Sequence, residues 1–582
     1  MIKILIRILK YSKPYKLSLI CALLCSFVGV SLSLFVPVII GEGVDLIIGK
    51  GDVDFKGVSK ICFLLAGTVG VSSLFQWFTS LSTNKLSYLT IRDIRRDYFR
   101  KLGEVPISFI DKSSRGDLIS RGVNDIETVS DGLIQGFTQL FSGIVTIIGT
   151  LVFMLTINVK IALIVVILTP LSFLTAAIIT KLSHDSFVKQ AQHRGEMSGF
   201  IEEMVGNQKV VKAFSYEERA QDKFDSINQK MKKSGIRSVF FSSMTNPTTR
   251  FVNGLIYAAV GVAGALSAIG SVGFLGVITK GQLSSFLLYA NQYTKPFNEI
   301  SGVITELQNA VTCAKRVFDV IDSESETSDE NRPELTDCKG TVNFEKVCFS
   351  YDKNRKLIED MNLNVNESGK CIAIVGPTGC GKTTVINLLL RFYDIDSGSI
   401  KISGEDIREV TRNSLRSQFG MVLQDTWLFS GTVADNIAYG RQTAARVEII
   451  EAAKAVHAHS FIKRLPKGYD TIIGEEGGGL SQGQKQLISL ARVMLTDPPM
   501  LILDEATSNI DIRTEQRIQR AFEKLMTGRT SFIIAHRLST IKNADIILVM
   551  KDGSVIEQGR HETLIEKNGY YAKLYKSQFA AF

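Results

Sequence analysis

The sequence predicts a chain in two parts: an all-α membrane domain of six spanning helices with long intracellular helices, followed by an α/β P-loop domain. Three observations carry this. Long apolar runs are confined to the first 320 or so of the 582 residues. A glycine-rich loop, GPTGCGKTT at 376–384, follows an apolar strand and opens a helix. An acidic, polar stretch, DSESETSDENRPELTDCKG at 322–340, divides the two regions. A chain of this length also exceeds what one hydrophobic core supports.

The membrane part comes first. A bilayer span needs about 20 mostly apolar residues, and six runs qualify, at roughly 17–41, 58–80, 134–157, 160–182, 240–268 and 283–305. Before them, MIKILIRILKYSKPYK is basic and amphipathic, and reads as an interfacial helix rather than a cleavable signal peptide. Short loops join spans one to two, three to four and five to six. The other two connections are long and basic: 83–132 carries Lys85, Arg92, Arg95, Arg96, Arg100, Lys101, Lys112, Arg115 and Arg121, and 181–238 carries eleven Lys or Arg. The positive-inside rule then places the long loops, both termini and the P-loop domain on the cytoplasmic side of a multi-pass membrane protein. Both long loops keep helical periodicity, so the spans are expected to run on as helices with turns near 110–118 and 211–220. An extension of about 25 residues reaches roughly 35 Å. Within spans five and six, Arg250, Asn253, Asn291, Gln292, Lys295 and Glu299 are polar intramembrane candidates. Lys295 and Glu299, four apart, can also simply pair, and Arg250 can snorkel. The expected domains are 1–321, a linker at 322–340, and 341–582.

Composition excludes other classes. The net charge of +9 has its explanation in the membrane loops, so no nucleic-acid partner is expected. The eight cysteines are scattered without CxxC or His/Cys spacing, which fits neither a disulfide framework nor a zinc site. His457 and His459 have no companion ligands and read as structural.

The P-loop domain carries the chemistry. GPTGCGKTT matches GxxxxGK[ST] between the strand CIAIVG and the helix KTTVINLLLRFY. Gly376, Pro377, Thr378, Gly379, Cys380 and Gly381 form a loop whose N–H groups can close around phosphates. Lys382 can reach the β- and γ-phosphates, the Thr383 hydroxyl suits Mg²⁺, and Thr384 continues the helix. Cys380 is either a thiol activated by the helix N-terminus or an inert small residue. MLILDEATS at 500–508 is a buried strand ending in two acids. Asp504 is a candidate metal ligand, and Glu505 can polarise the water that attacks the γ-phosphate. Ser481 and Gln484 in LSQGQ at 480–484 make a capping box at the start of a helix, and Gly483 there leaves room for an anion.

These motifs resemble the ATP-binding cassette (ABC) transporters, specifically exporter-type half-transporters with the membrane domain first, over essentially the whole chain. The resemblance implies an α/β P-loop NTPase of the ABC cassette type, with ATP and Mg²⁺ as cofactors. It implies that Tyr351 in CFSYD stacks on adenine, that Gln424 in MVLQDTWLF links the metal site to the membrane domain, and that His536 in IIAHRLST contacts the γ-phosphate. Asp511 in SNID matches the aspartate that follows the catalytic acid. The catalytic set is then Glu505, His536, Lys382 and Gln424, and the metal set Thr383, Gln424 and Asp504. The resemblance also implies a second half-transporter, with each nucleotide held between the P-loop of one chain and the signature, here LSQGQ, of the other. The intracellular tips would rest on the cassettes, the second on the partner's.

Gln482 stands where the family usually has glycine. A side chain there restricts backbone approach to a phosphate. An intact Glu505 beside an altered signature resembles the consensus-bearing subunit of bacterial heterodimeric multidrug exporters. A heterodimer is favoured and a homodimer stays open. The implied function is ATP-driven export of small amphipathic drugs, lipids or peptides across a lipid bilayer by alternating access. The alternatives are an exporter-fold importer of siderophores or other small molecules, and a non-transporting regulatory or scaffold subunit. The intact Lys382, Glu505 and His536 weigh against the last.

Overall fold

The structure is a computed structural model and describes residues 2–49, 52–269, 277–329, 331–352, 356–423, 426–474, 478–504, 512–535 and 538–579. It divides into two compact units, Met1–Glu104 with Ser114–Ser323, and Val105–Ser113 with Glu324–Phe582.

The first unit is helical. Its elements are α1 (Ile2–Ser12), α2 (Lys16–Asp45), α3 (Phe55–Glu104), α5 (Arg115–Ser120), α6 (Ile126–Gln135), α7 (Phe141–Ile157), α8 (Val159–Gly206), α9 (Gln208–Ala213), α10 (Glu217–Ala268) and α11 (Lys280–Ile321); α4 (Ile107–Lys112) lies in the second unit. A short hairpin of β1 (Ile47–Gly49) and β2 (Asp52–Val53) joins α2 to α3. Local chemistry sets the boundaries. Asn158 caps α8 by accepting from the N–H groups of Lys160 and Ile161, which is how a loop as short as INVK turns the chain. Thr279 and Gln282 form a capping box at the start of α11. Asp45, ending α2, accepts from Gly281 N–H at 2.7 Å and Thr279 Oγ1 at 2.6 Å. There the two helices meet backbone to backbone, since a Cβ on Gly281 would lie 2.0 Å from the Gly41 carbonyl. Small residues permit such approach between membrane helices. Leu34, Met154, Ile161, Val165, Val260, Phe286 and Tyr289 form the core.

Among the described residues, the helical stretches Lys3–Asp45, Phe55–Glu104, Arg115–Ile157 and Pro247–Ala268 are long and apolar enough to cross a membrane. The run expected at 160–182 lies on α8, whose apolar stretch is described as Val159–Leu171. The run at 283–305 lies on α11, where Asn291, Gln292, Lys295 and Glu299 dilute its apolar character. The helices run on well past the expected spans: α3 to Glu104, and α8 and α10 until the breaks on either side of α9. The N-terminal helix is clasped to the end of α11, with the Arg7 guanidinium on the Asp322 carboxylate and 4.1 Å above the Phe318 ring.

The second unit holds two sheets. The strands β3 (Val342–Phe349), β4 (Ile358–Val365), β6 (Ser397–Ile402) and β7 (Glu405–Asp406) run antiparallel in the order β4-β3-β6-β7. The strands β5 (Cys371–Val375), β8 (Phe419–Val422), β11 (Met500–Asp504), β12 (Thr530–Ile534), β13 (Ile546–Lys551) and β14 (Ser554–Gly559) form a six-stranded sheet in the order β14-β13-β5-β12-β11-β8. All its pairings are parallel except that of β13 with β14. A further short pair joins β9 (Gly431–Thr432) to β10 (Ile472–Ile473).

The helices of this unit include α12 (Lys382–Leu389), α13 (Arg412–Ser417), α14 (Val433–Ala438), α15 (Arg446–Ala455), α16 (His459–Ile462), α17 (Gln482–Thr496) and α18 (Ile512–Met526). The parallel strands are apolar on both faces. Val375, Leu501, Leu503 and Ile533 pack toward Ile437, Leu487 and Ala491, while Ile374, Ile502, Phe532 and Leu548 pack toward Val385 and Leu389. Period-two burial on both sides is what a sheet covered by helices requires. The acidic stretch after α11 is held against α13. Arg412 donates to the Thr327 carbonyl at 2.7 Å and to Thr327 Oγ1 at 2.9 Å, and Leu335 N–H donates to Ser414 Oγ.

Candidate nucleotide-binding site

The sheet register assembles the site. In β11, Asp504 pairs with Ile534 of β12, and Ile534 pairs with Ile374 of β5. The end of β11 and the loop after β5 therefore emerge at one edge. Open parallel sheets bind ligands beyond the carboxyl ends of their strands.

The loop Gly376–Gly381 is shaped by three glycines used in different ways. Gly376 carries no side chain because a Cβ there would lie 2.3 Å from the Met550 carbonyl oxygen and 2.7 Å from Cys380 Sγ. Gly379 and Gly381 take left-handed φ values of +82° and +101°, and Gly381 is the N-cap of α12. The result is a compact turn with backbone N–H groups at a helix start, the usual receptor for phosphate oxygens. Thr378 and Gly379 are exposed at its crest. Lys382 Nζ donates to the carbonyls of Gly376 at 2.8 Å and Pro377 at 3.0 Å, so the ammonium is folded over the loop. Thr383 is exposed at the helix start, while Thr384 is buried. Cys380 is buried, and burial pushes its thiol above the ordinary value, as expected of a packing residue.

Tyr351 stands at the side of this loop, 42 % exposed. Its hydroxyl donates to Thr384 Oγ1 at 3.3 Å and accepts from Asn387 Nδ2 at 3.2 Å. Its ring is braced edge-on by Phe349 and by Tyr393, each with centroids 4.9 Å away. Sequence reasoning missed Tyr393 and Asn387. The available signal was their place on and just after α12, in INLLLRFYD.

The capping box at LSQGQ is built. Ser481 Oγ accepts from Gln484 N–H, and Gln484 Oε1 accepts from Ser481 N–H at 2.9 Å. Gln482 is the first residue of α17 and is exposed, while Gly483 is buried. His459 bonds Tyr469 Oη through Nδ1, in keeping with a structural role. Gln424, Glu505, Asp511 and His536 lie outside the described residues. The oxygen donors present, an exposed Thr383 hydroxyl and the Asp504 carboxylate, fit a hard divalent cation.

The family model for the ABC transporter transmembrane region matches residues 19–297, and that for the ABC transporter matches 358–508. A fatty acid ABC transporter ATP-binding/permease protein of Mycobacterium bovis is 42 % identical over 533 residues, covering 92 % of this chain and 83 % of the relative. This chain belongs to the ABC transporters. A putative multidrug export ATP-binding/permease protein of Bacillus subtilis is 34 % identical over 582 residues, with 98 % of this chain and 99 % of the relative covered. Among solved structures, a bacterial Atm1-family ABC exporter with ATP bound superposes with a TM-score of 0.80 at 29 % identity, covering 97 % of this chain and 98 % of the other. The protein is thus an exporter-type ABC half-transporter: a helical transmembrane domain followed by a nucleotide-binding cassette, coupling ATP hydrolysis to export. As a half-transporter it works in a lipid bilayer as a dimer.

Proposed function

We propose that the edge formed by Gly376–Thr384, Asp504 and Tyr351 holds MgATP, and that its hydrolysis expels an amphiphile with a polar head. The observation that carries the nucleotide reading is the register of β5, β12 and β11, which brings the phosphate loop and the Asp504 carboxylate to one edge beside an upright tyrosine ring. In this reading the loop N–H groups cradle the phosphates, Lys382 turns from its carbonyls to the β- and γ-oxygens, and Tyr351 stacks on the base. Thr383, Asp504 and Gln424 would hold Mg²⁺, which when bound neutralises charge on the β- and γ-phosphates. Glu505 orients the water that attacks the γ-phosphorus while the bond to the β–γ bridging oxygen breaks, and His536 steadies the γ-phosphate. Asp511 takes the part of the family's aspartate that follows the catalytic acid in sequence. Ser481, Gly483 and Gln484 serve the nucleotide of the partner.

The transported head group has a candidate seat. A cavity of about 390 Å³ in the membrane unit is lined by Gln76, Gln139, Gln292, Lys295 and Glu299 together with several Ser and Thr hydroxyls. Gln292 Oε1 is buried there with no hydrogen-bond partner among the described residues. Lys295 and Glu299 both line this cavity. Such groups favour a polar or zwitterionic head. Two relatives are named for fatty acid transport and for putative multidrug export, which supports an amphipathic substrate here.

The six spans, the 1–321, 322–340 and 341–582 domains, a plasma-membrane location and cytoplasmic termini complete the proposal. In the dimer the second intracellular tip docks on the partner's cassette. Phe214, capping α9, is 79 % exposed. Gln482 favours a heterodimer whose partner site is the weaker one. The test is Glu505→Gln, for which steady-state hydrolysis is expected to vanish while ATP still binds. Near-normal turnover would overturn the assignment of the base.

A further inference from the structure

Tyr393 occupies a position that the catalytic scheme does not use. It follows α12, the helix that begins with Lys382, by a few residues. Its ring meets Tyr351 at 4.9 Å and 88°, and Phe349 at 5.7 Å and 66°. Its hydroxyl donates to the carboxylate of Asp111. Asp111 lies on α4, within the segment Val105–Ser113, where the chain passes between α3 and α5 and yet packs as part of the cassette unit. Val105 is buried, and Ser113 closes the short helix by donating to the Phe109 carbonyl.

The contacts form an unbroken row: the α4 carboxylate, the Tyr393 hydroxyl, the Tyr393 ring, the Tyr351 ring, and the Tyr351 hydroxyl on Thr384. Each joint is directional. An edge-to-face pair resists rotation of either ring, and a hydroxyl-to-carboxylate bond is short and charge-assisted. Burial, then the Asp111 bond and charge, push the Tyr393 phenol above its ordinary value, so it stays a donor throughout the neutral range.

We infer that Tyr393 is a positioning residue, linking segment Val105–Ser113 to the ring that faces the nucleotide base, so that α4 and the base site bias each other. The inference rests on Tyr351 being the base-stacking residue. Because linkage is reciprocal, a displacement of α4 reorients Tyr351, and a stacked base holds α4 in place. The relay is expected to act on the base through the Tyr351 ring, with the buried Thr384 as the anchor of that ring.

The experiment uses the full-length transporter in lipid and measures the ATP KM and the inhibition constant of Mg-tripolyphosphate, which has phosphates but no base. Asp111→Asn and Tyr393→Phe keep shape and ring and remove only the charge-assisted bond. Each is expected to raise the ATP KM roughly five- to tenfold, within the range of site-to-site coupling, and to leave tripolyphosphate inhibition unchanged. The double variant is expected to match either single one, since both break the same joint. On a Tyr351→Ala background neither is expected to add anything. Equal effects on ATP and tripolyphosphate, or additive effects in the double variant, would overturn the relay. If Tyr351→Ala raises the ATP KM but Asp111→Asn and Tyr393→Phe do not, the relay alone fails. If Tyr351→Ala leaves it unchanged, the base-site reading falls and the relay with it.

Discussion

Gly376→Ala tests whether the phosphate loop depends on close backbone approach. The added Cβ would lie 2.3 Å from the Met550 carbonyl oxygen, 3.2 Å from its carbon and 2.7 Å from Cys380 Sγ. A carbon–oxygen contact normally sits at about 3.3 Å or more, so about 1 Å must be found. Cys380 can rotate its thiol, but the Met550 carbonyl belongs to β13, which is paired to β5 on one side and β14 on the other. The loop therefore has to give way. Overpacking of this kind costs about 1–3 kcal/mol, and at about 1.4 kcal/mol per tenfold this lowers ATP affinity roughly 5- to 150-fold if the binding conformation bears it all. The assay is ATP binding by the purified transporter, with thermal unfolding measured alongside. Gly195→Ala in α8, where a Cβ meets nothing within 4 Å, is the control expected to leave ATP affinity unchanged and not to lower the unfolding temperature, since alanine is the better helix former. An unaltered ATP affinity and unfolding temperature in Gly376→Ala would refute the close-approach argument.

Other expectations concern the signature, the cavity and a helix cap. Ser481→Ala removes the cap of α17 at a cost of about 1 kcal/mol; ATP trapping at the partner's site should weaken, and retention of full trapping would count against a role for this helix start. Gln482→Gly should alter the partner's site while hydrolysis at Lys382 and Glu505 continues, and a loss like that of Glu505→Gln would defeat the asymmetric reading. Lys295→Met should raise the half-maximal concentration of a stimulating anionic or zwitterionic amphiphile roughly tenfold, the scale of a lost bond to a charged group, and an unchanged titration would remove Lys295 from the seat. Asp435 caps α14 by accepting from Thr432 N–H and Oγ1, bonds that hold its carboxyl below the usual range. A depressed folded pKa means the cap contributes fully above the ordinary carboxylate value of about 4 and is lost as pH falls through its own lower value. Amide protection over 433–438 should fall in acid for the wild type, and Asp435→Asn should be low and independent of pH.

Much of this protein is written in short-range pattern. GPTGCGKTT between an apolar strand and a helix specifies its own loop, because left-handed glycines and a helix start are local matters. Ser481 with Gln484, and the apolar runs of the membrane half, are legible for the same reason: a capping box spans four residues and a span about 20. The family and its coupled ATP hydrolysis follow from these local motifs in their order.

What sequence could not supply was the pairing of distant residues. Nothing in the spacing puts Asp504 level with Ile374, since parallel register is decided by the strand between them. The polarity of Lys295 and Glu299 was visible, but that they line one cavity with Gln76 and Gln139 depends on how four helices pack. The sequence led to the expectation of a turn near 110–118. That Asp111 meets Tyr393, 282 positions away, and through it the tyrosine beside the phosphate loop, is a decision of the tertiary structure alone. Contacts of that sequence separation are made by whole elements docking, and no local propensity encodes them.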